Sequence, residues 1–106
     1  MGVAANWGFR ITDSKLEKFV ADVVVRGIDD LGDRKVVTLE LSYNYGGKEK
    51  KLFRKMTPRD KLVRIEGHPI AIGIDSIRKG NEGDVIADFY IKGPGKYKWE
   101  KRHYDE

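Results

Sequence analysis

Few residues in this chain could do chemistry, and their spacing is poor for it. The two histidines, His68 and His103, stand apart and outside any H-x-x-x-H pattern, so a metal would need ligands gathered by folding. Each reads as a surface or capping side chain. Ser14, Ser42 and Ser76 lack the G-x-S-x-G elbow that presents a nucleophilic serine. Asp29, Asp30 and Asp33 form an acidic turn, without the spacing or the closing glutamate of an EF-hand. Gly46-Gly47-Lys48 has neither the upstream glycine nor the following Ser/Thr of a phosphate-binding loop, and reads as a hairpin turn. Cysteine is absent, which removes disulfides, thiolate zinc sites and cysteine nucleophiles together. No carboxylate pair stands out for acid–base work. The expectation is a non-catalytic chain with no cofactor and no metal site.

Binding is the chemistry that remains, and the charges are sorted for it. The chain has 106 residues, 21 Lys+Arg and 17 Asp+Glu, for a net charge of +4. Residues 45–64 carry eight basic and two acidic side chains, and residues 92–104 carry five and one, against an otherwise acidic background. Aromatic rings accompany both blocks. Tyr43, Tyr45 and Phe53 flank Lys48, Lys50, Lys51, Arg54 and Lys55, while Tyr97 and Trp99 interleave with Lys92, Lys96, Lys98 and Arg102. Cations that follow phosphates, and flat rings on which bases stack, are what a single-stranded nucleic acid requires. These fourteen residues are the candidate nucleic-acid-binding set. The competing reading is that a lysine-rich strand protects a sheet edge from aggregation, and that Tyr97 and Trp99, sharing a face, belong to the core.

The elements that must position these residues are mostly strands. Residues 18–28 put Phe19, Ala21, Val23 and Val25 on one face, and residues 35–45 put Val37, Leu39, Leu41, Tyr43 and Tyr45 on one face. The turn at Asp29 to Asp33 joins them as an antiparallel hairpin. Gly46-Gly47 leads to a third strand over 48–56. Thr57-Pro58 then resembles a helix start, with Asp60 at the capping-box position. Leu62, Val63 and Ile65 follow at helical spacing and Gly67 can end the segment, so a two-turn helix is expected within 57–68. Strands are expected over 70–77, 84–92 and 96–104. Residues 7–12 fit an edge strand or a helix entry. Val23, Val25, Leu39, Leu41 and Phe89 are assigned to the core.

The resulting order, β-β-β-α-β-β plus a C-terminal strand, is that of an OB-like Greek-key barrel: one mainly β domain over 1–106 with one short helix. Were 57–68 a loop, an SH3-like barrel or a meander would fit as well. Residues 20–43 and 80–99, notably Gly83-Asp84-Val85 followed by Asp88-Phe89-Tyr90-Ile91-Lys92-Gly93, resemble small single-strand DNA-binding OB-fold proteins. That resemblance implies binding of single-stranded DNA or RNA. The alternative partner is a protein, with the chain as an adaptor or a small subunit of a larger complex.

No wholly apolar run exceeds three residues, as at Val23 to Val25, so no membrane partner is expected. The first six residues lack a basic leader, which suggests a cytoplasmic address. The absence of glutamine and cysteine, with only three asparagines among many charges, follows the thermophile pattern.

Overall fold

The computed structural model describes residues 1–30, 32–59 and 62–104, and builds them from nine strands in two antiparallel sheets. The larger sheet has the order β5-β4-β3-β2-β9, formed by β2 (Trp7–Asp13), β3 (Lys18–Asp30), β4 (Lys35–Tyr45), β5 (Lys48–Met56) and β9 (Tyr97–His103). The smaller has the order β1-β8-β7-β6, formed by β1 (Gly2–Ala4), β6 (Val63–Arg64), β7 (Ala71–Lys79) and β8 (Val85–Lys92). β2 to β5 run as a meander. β9 returns after the smaller sheet to lie beside β2, which is a Greek-key path.

Alternation explains the packing. Cross-strand partners Ala21 and Tyr43, Val23 and Leu41, and Val25 and Leu39 put one face of β3–β4 inward. All six are at most 2 % exposed. Ile72, Ile74, Ile77 and Phe89 of the smaller sheet close the core. Phe9 joins the two layers, with ring centroids 5.3 Å from Phe89 and 4.9 Å from Trp99. The five residues assigned to the core from sequence are all buried. A bulge at Val25/Gly27 lets β3 keep inward-facing residues along its length despite one extra residue, Arg26.

Three expectations are corrected. The two-turn helix does not form among the described residues of 57–68, which contain turns and β6. Val63 pairs with Ile72, and both Val63 and Ile65 pack toward the core, which is a period of two rather than 3.6. The Thr57 hydroxyl accepts a hydrogen bond from the Arg59 amide at 3.3 Å, so the expected helix cap closes a turn. Asp60, the expected capping-box residue, lies outside the described residues. A lone two-turn helix pays nucleation for few bonds, whereas this segment completes an edge of a sheet already folded. The closed barrel is replaced by two open sheets. Residues 7–12 form neither an edge nor a helix entry, because β2 is an interior strand between β3 and β9.

Two turns depend on glycine. Gly46 and Gly47 have φ of 62° and 77°, the paired positive values of a two-residue hairpin turn, and they fix the β4–β5 register. Gly93, at φ 142°, carries the chain from one sheet to the other, and a Cβ there would meet the Pro69 carbonyl oxygen and Ile70. Gly93→Ala is therefore expected to cost about 1–3 kcal/mol in chemical denaturation. Gly83→Ala, at φ 85° with open space around it, is expected to cost less. Equal losses at the two positions would show that the close approach at Gly93 is relieved by a small backbone shift.

Candidate nucleic-acid interface

The register divides the candidate residues between faces. In β5, Lys48, Lys50, Leu52, Arg54 and Met56 pair with Tyr45, Tyr43, Leu41, Leu39 and Val37, so they share the core's side of the sheet. Only Met56 is buried and Leu52 half-buried; Lys48, Lys50 and Arg54 stay exposed. Lys51, Phe53 and Lys55 pair with Ser42, Glu40 and Thr38 and occupy the outer, solvent face. Phe53 is 62 % exposed, the largest value among the exposed large aromatic side chains. Lys98 and Arg102 lie on the same outer face in β9, the opposite edge. The cations of β5 and those of β9 are thus separated by the width of the sheet, four strand spacings or ~19 Å. They do not form one patch.

Tyr43 leaves the candidate set. It is fully buried, and its hydroxyl donates to Glu66 Oε1 at 3.0 Å, so no base can stack on it. Burial first, then the Glu66 carboxylate, pushes its phenol above the ordinary tyrosine value. Tyr97 and Trp99 are half-buried rim residues packed on the core, on the inward side of β9. Tyr97 donates to the Pro94 carbonyl at 3.2 Å, which fastens the turn before β9. Lys92 projects from the smaller sheet, beside Ala71 and in line with Arg64, and Lys96 sits in the β8–β9 turn. Tyr45 is exposed at the end of β4. The residues that the fold does bring together are Tyr45, Lys48, Lys50, Lys51, Phe53, Arg54 and Lys55, along one edge.

On the outer face, Glu40 organises the cations. Its carboxylate is 9 % exposed and is bound by Arg26 at 2.8 Å and Lys51 at 3.0 Å. Burial works to raise the Glu40 carboxyl, but the hydrogen bonds and charges of Lys51 and Arg26 outweigh it and hold it below the usual 4.5. Arg10 and Asp22 form a second cross-strand pair, at 2.9 and 3.0 Å, with the Arg10 guanidinium 5.1 Å from the Phe19 ring centroid. By contrast, no carboxylate among the described residues pairs with Lys48, Lys50, Arg54 or Lys55. The β5 edge therefore concentrates uncompensated positive charge.

Sequence reasoning missed Arg64 and Leu62, which face β5 across an open groove of about 580 Å³ with Leu52, Arg54, Met56 and Val63 in its walls. Reading 57–68 as a helix hid them; a period-two reading of Val63 and Ile65 would have placed Arg64 on the opposite side. Also missed was the cluster of Trp7, Lys101 and His103, where the Trp7 ring lies 4.7 Å from the His103 ring and 5.4 Å from Lys101 Nζ. Among the described residues no group of His, Asp or Glu could hold a metal ion, and no helix is long and apolar enough to cross a membrane. Comparison with protein-family models, curated proteins and solved structures found no match.

The depressed Glu40 value has a sign that can be tested. A carboxyl whose folded pKa lies below its unfolded one contributes stability above the unfolded value and loses it as pH falls through the folded value. Glu40→Gln is expected to be less stable than the wild type at pH 7, on the order of 1 kcal/mol. The gap should close as pH drops below 4.5, where the wild-type carboxyl takes up its proton. Urea denaturation across that range checks it. A gap that stays constant into acid would show that Glu40 is not held ionised by Arg26 and Lys51.

Proposed function

We propose that the chain is a non-catalytic nucleic-acid-binding module, favouring single strands, with β5 as its contact strand. The observation that carries this reading is Phe53: a large apolar ring, 62 % exposed, flanked on its own face by Lys51 and Lys55. An exposed phenylalanine gains nothing from water, while stacking of a base on it is worth about 1–3 kcal/mol. The cations beside it, uncompensated apart from Lys51, supply phosphate contacts at the spacing of a strand. Lys48 and Lys50 extend the track toward Tyr45. The return of β9 beside β2 is the kind of Greek-key path found in OB-folds, whose sheet faces bind oligonucleotides. That likeness supports the reading without carrying it.

Fluorescence anisotropy with a labelled oligothymidylate tests the proposal. Six cations on and beside β5 predict a salt slope near −4 for a single strand. Phe53→Ala is expected to weaken binding roughly 5- to 150-fold with an unchanged unfolding midpoint, since the ring buries little. No binding by micromolar wild-type protein at about 50 mM salt would overturn the proposal. If the chain instead copurified with a defined protein through its free β5 edge, the adaptor reading would replace it.

A further inference from the structure

We propose, resting on the nucleic-acid reading above, that a single strand straddles the β5 edge. One base stacks on Phe53 over the outer face, a neighbouring base enters the groove between β5 and β6, and Arg64 is a binding residue on the far wall. Alternation in β5 leads to this arrangement. Its cations project to both sides of the sheet, Lys51 and Lys55 outward and Lys50 and Arg54 inward. A ligand lying on one face alone would leave half of them unused. A chain running along the edge meets both rows.

The groove suits an unpaired base. Its walls are apolar at Leu52, Met56, Leu62 and Val63, and cationic at Arg54, Lys55 and Arg64. Its volume of about 580 Å³ lies in the range of clefts that take small organic ligands. Among the described residues one carboxylate lines it, Glu66, which already accepts the Tyr43 hydroxyl at 3.0 Å. Glu66 is itself exposed, but the cations lining the groove outnumber it. The charge complement of such a cleft is a phosphate with a flat apolar ring attached. Only a single strand can offer bases to both sides of a protein edge, because paired bases are turned toward each other and stacked.

The test uses three ligands: an oligothymidylate of about 15 nucleotides, the same strand with abasic sugars, and a duplex of equal length. Arg64 is exposed, so Arg64→Ala should keep the fold and the unfolding midpoint. It is expected to weaken binding of both single strands severalfold and to flatten the salt slope by about 0.7, one phosphate contact. Leu62→Ala is expected to weaken the ordinary strand and leave the abasic one unchanged. The duplex should compete at least tenfold less well than the single strand. If Phe53→Ala weakens binding while Arg64→Ala matches the wild type, or the duplex competes equally, the straddling geometry is wrong although nucleic-acid binding stands. If no oligonucleotide binds the wild type, both fall together. Should Leu62→Ala fail to fold, Arg64→Ala and the duplex competition still decide the matter.

Discussion

Covering one face of a five-stranded sheet with a narrower four-stranded one leaves a mismatch along β5. The smaller sheet ends in β6, two residues long, so its cover reaches Met56 and part of Leu52 and stops. The positions of core parity beyond the cover face water, and they are Lys48 and Lys50 rather than apolar residues; Arg54, between Leu52 and Met56, is exposed as well. Exposed apolar side chains there would make a long adhesive edge, while cations make a soluble one. The groove, the two-sided charge and the exposed edge all follow from this shortfall in width.

Charge compensation separates the centre of the sheet from its edge. On the outer face over β2 to β4, Arg10 and Arg26 each have a carboxylate, so that surface is nearly neutral locally and held in place by short cross-strand bonds. Glu40 also takes Lys51, which fixes that lysine beside Phe53 instead of leaving it to sweep through solvent. A positioned cation next to an exposed ring costs less entropy on binding than a free one. Edge protection alone would explain lysines on β5 equally well. It does not explain an unburied phenylalanine in their midst, which is an aggregation liability on an edge strand.

The strands were legible in the sequence where one face is buried. β4 and β5 fall at the expected bounds, since Leu39, Leu41 and Val37 alternate with polar residues and Gly46-Gly47 marks the turn. β1 was not legible, because three residues carry no period, and it is held by pairing to β8 through Val3 and Ala87. Segment 57–68 failed for a physical reason: Leu62, Val63 and Ile65 satisfy helical and strand spacing alike, and the choice was made by Ile72 across the sheet. Closure was illegible for the same reason, since partners of β6 and β9 are set by tertiary contacts. At the site, residue types pointed to β5 and β9, but only the strand order shows them at opposite edges. Tyr43 illustrates the limit. Its β5 partner Lys50 is basic and exposed, yet its own parity belongs to Leu41 and Leu39, and that parity was already present in the sequence.

Parity also explains why β5 and β9 differ although both are basic edges. On β9 the inward row is Tyr97, Trp99, Lys101 and His103, and each ring is occupied: Trp99 by Phe9, Tyr97 by the Pro94 carbonyl, His103 by Trp7. Its outward row carries Glu100, 3.2 Å from Arg102, which spends one of the two outward cations internally. Among the described residues β5 has no such internal use for Phe53, Lys55 or Lys50. An edge whose rings and charges are already satisfied within the fold has little to offer a ligand. β5 is therefore the edge whose ring and charges are left over for the proposed ligand, while β9 closes the core over Phe9.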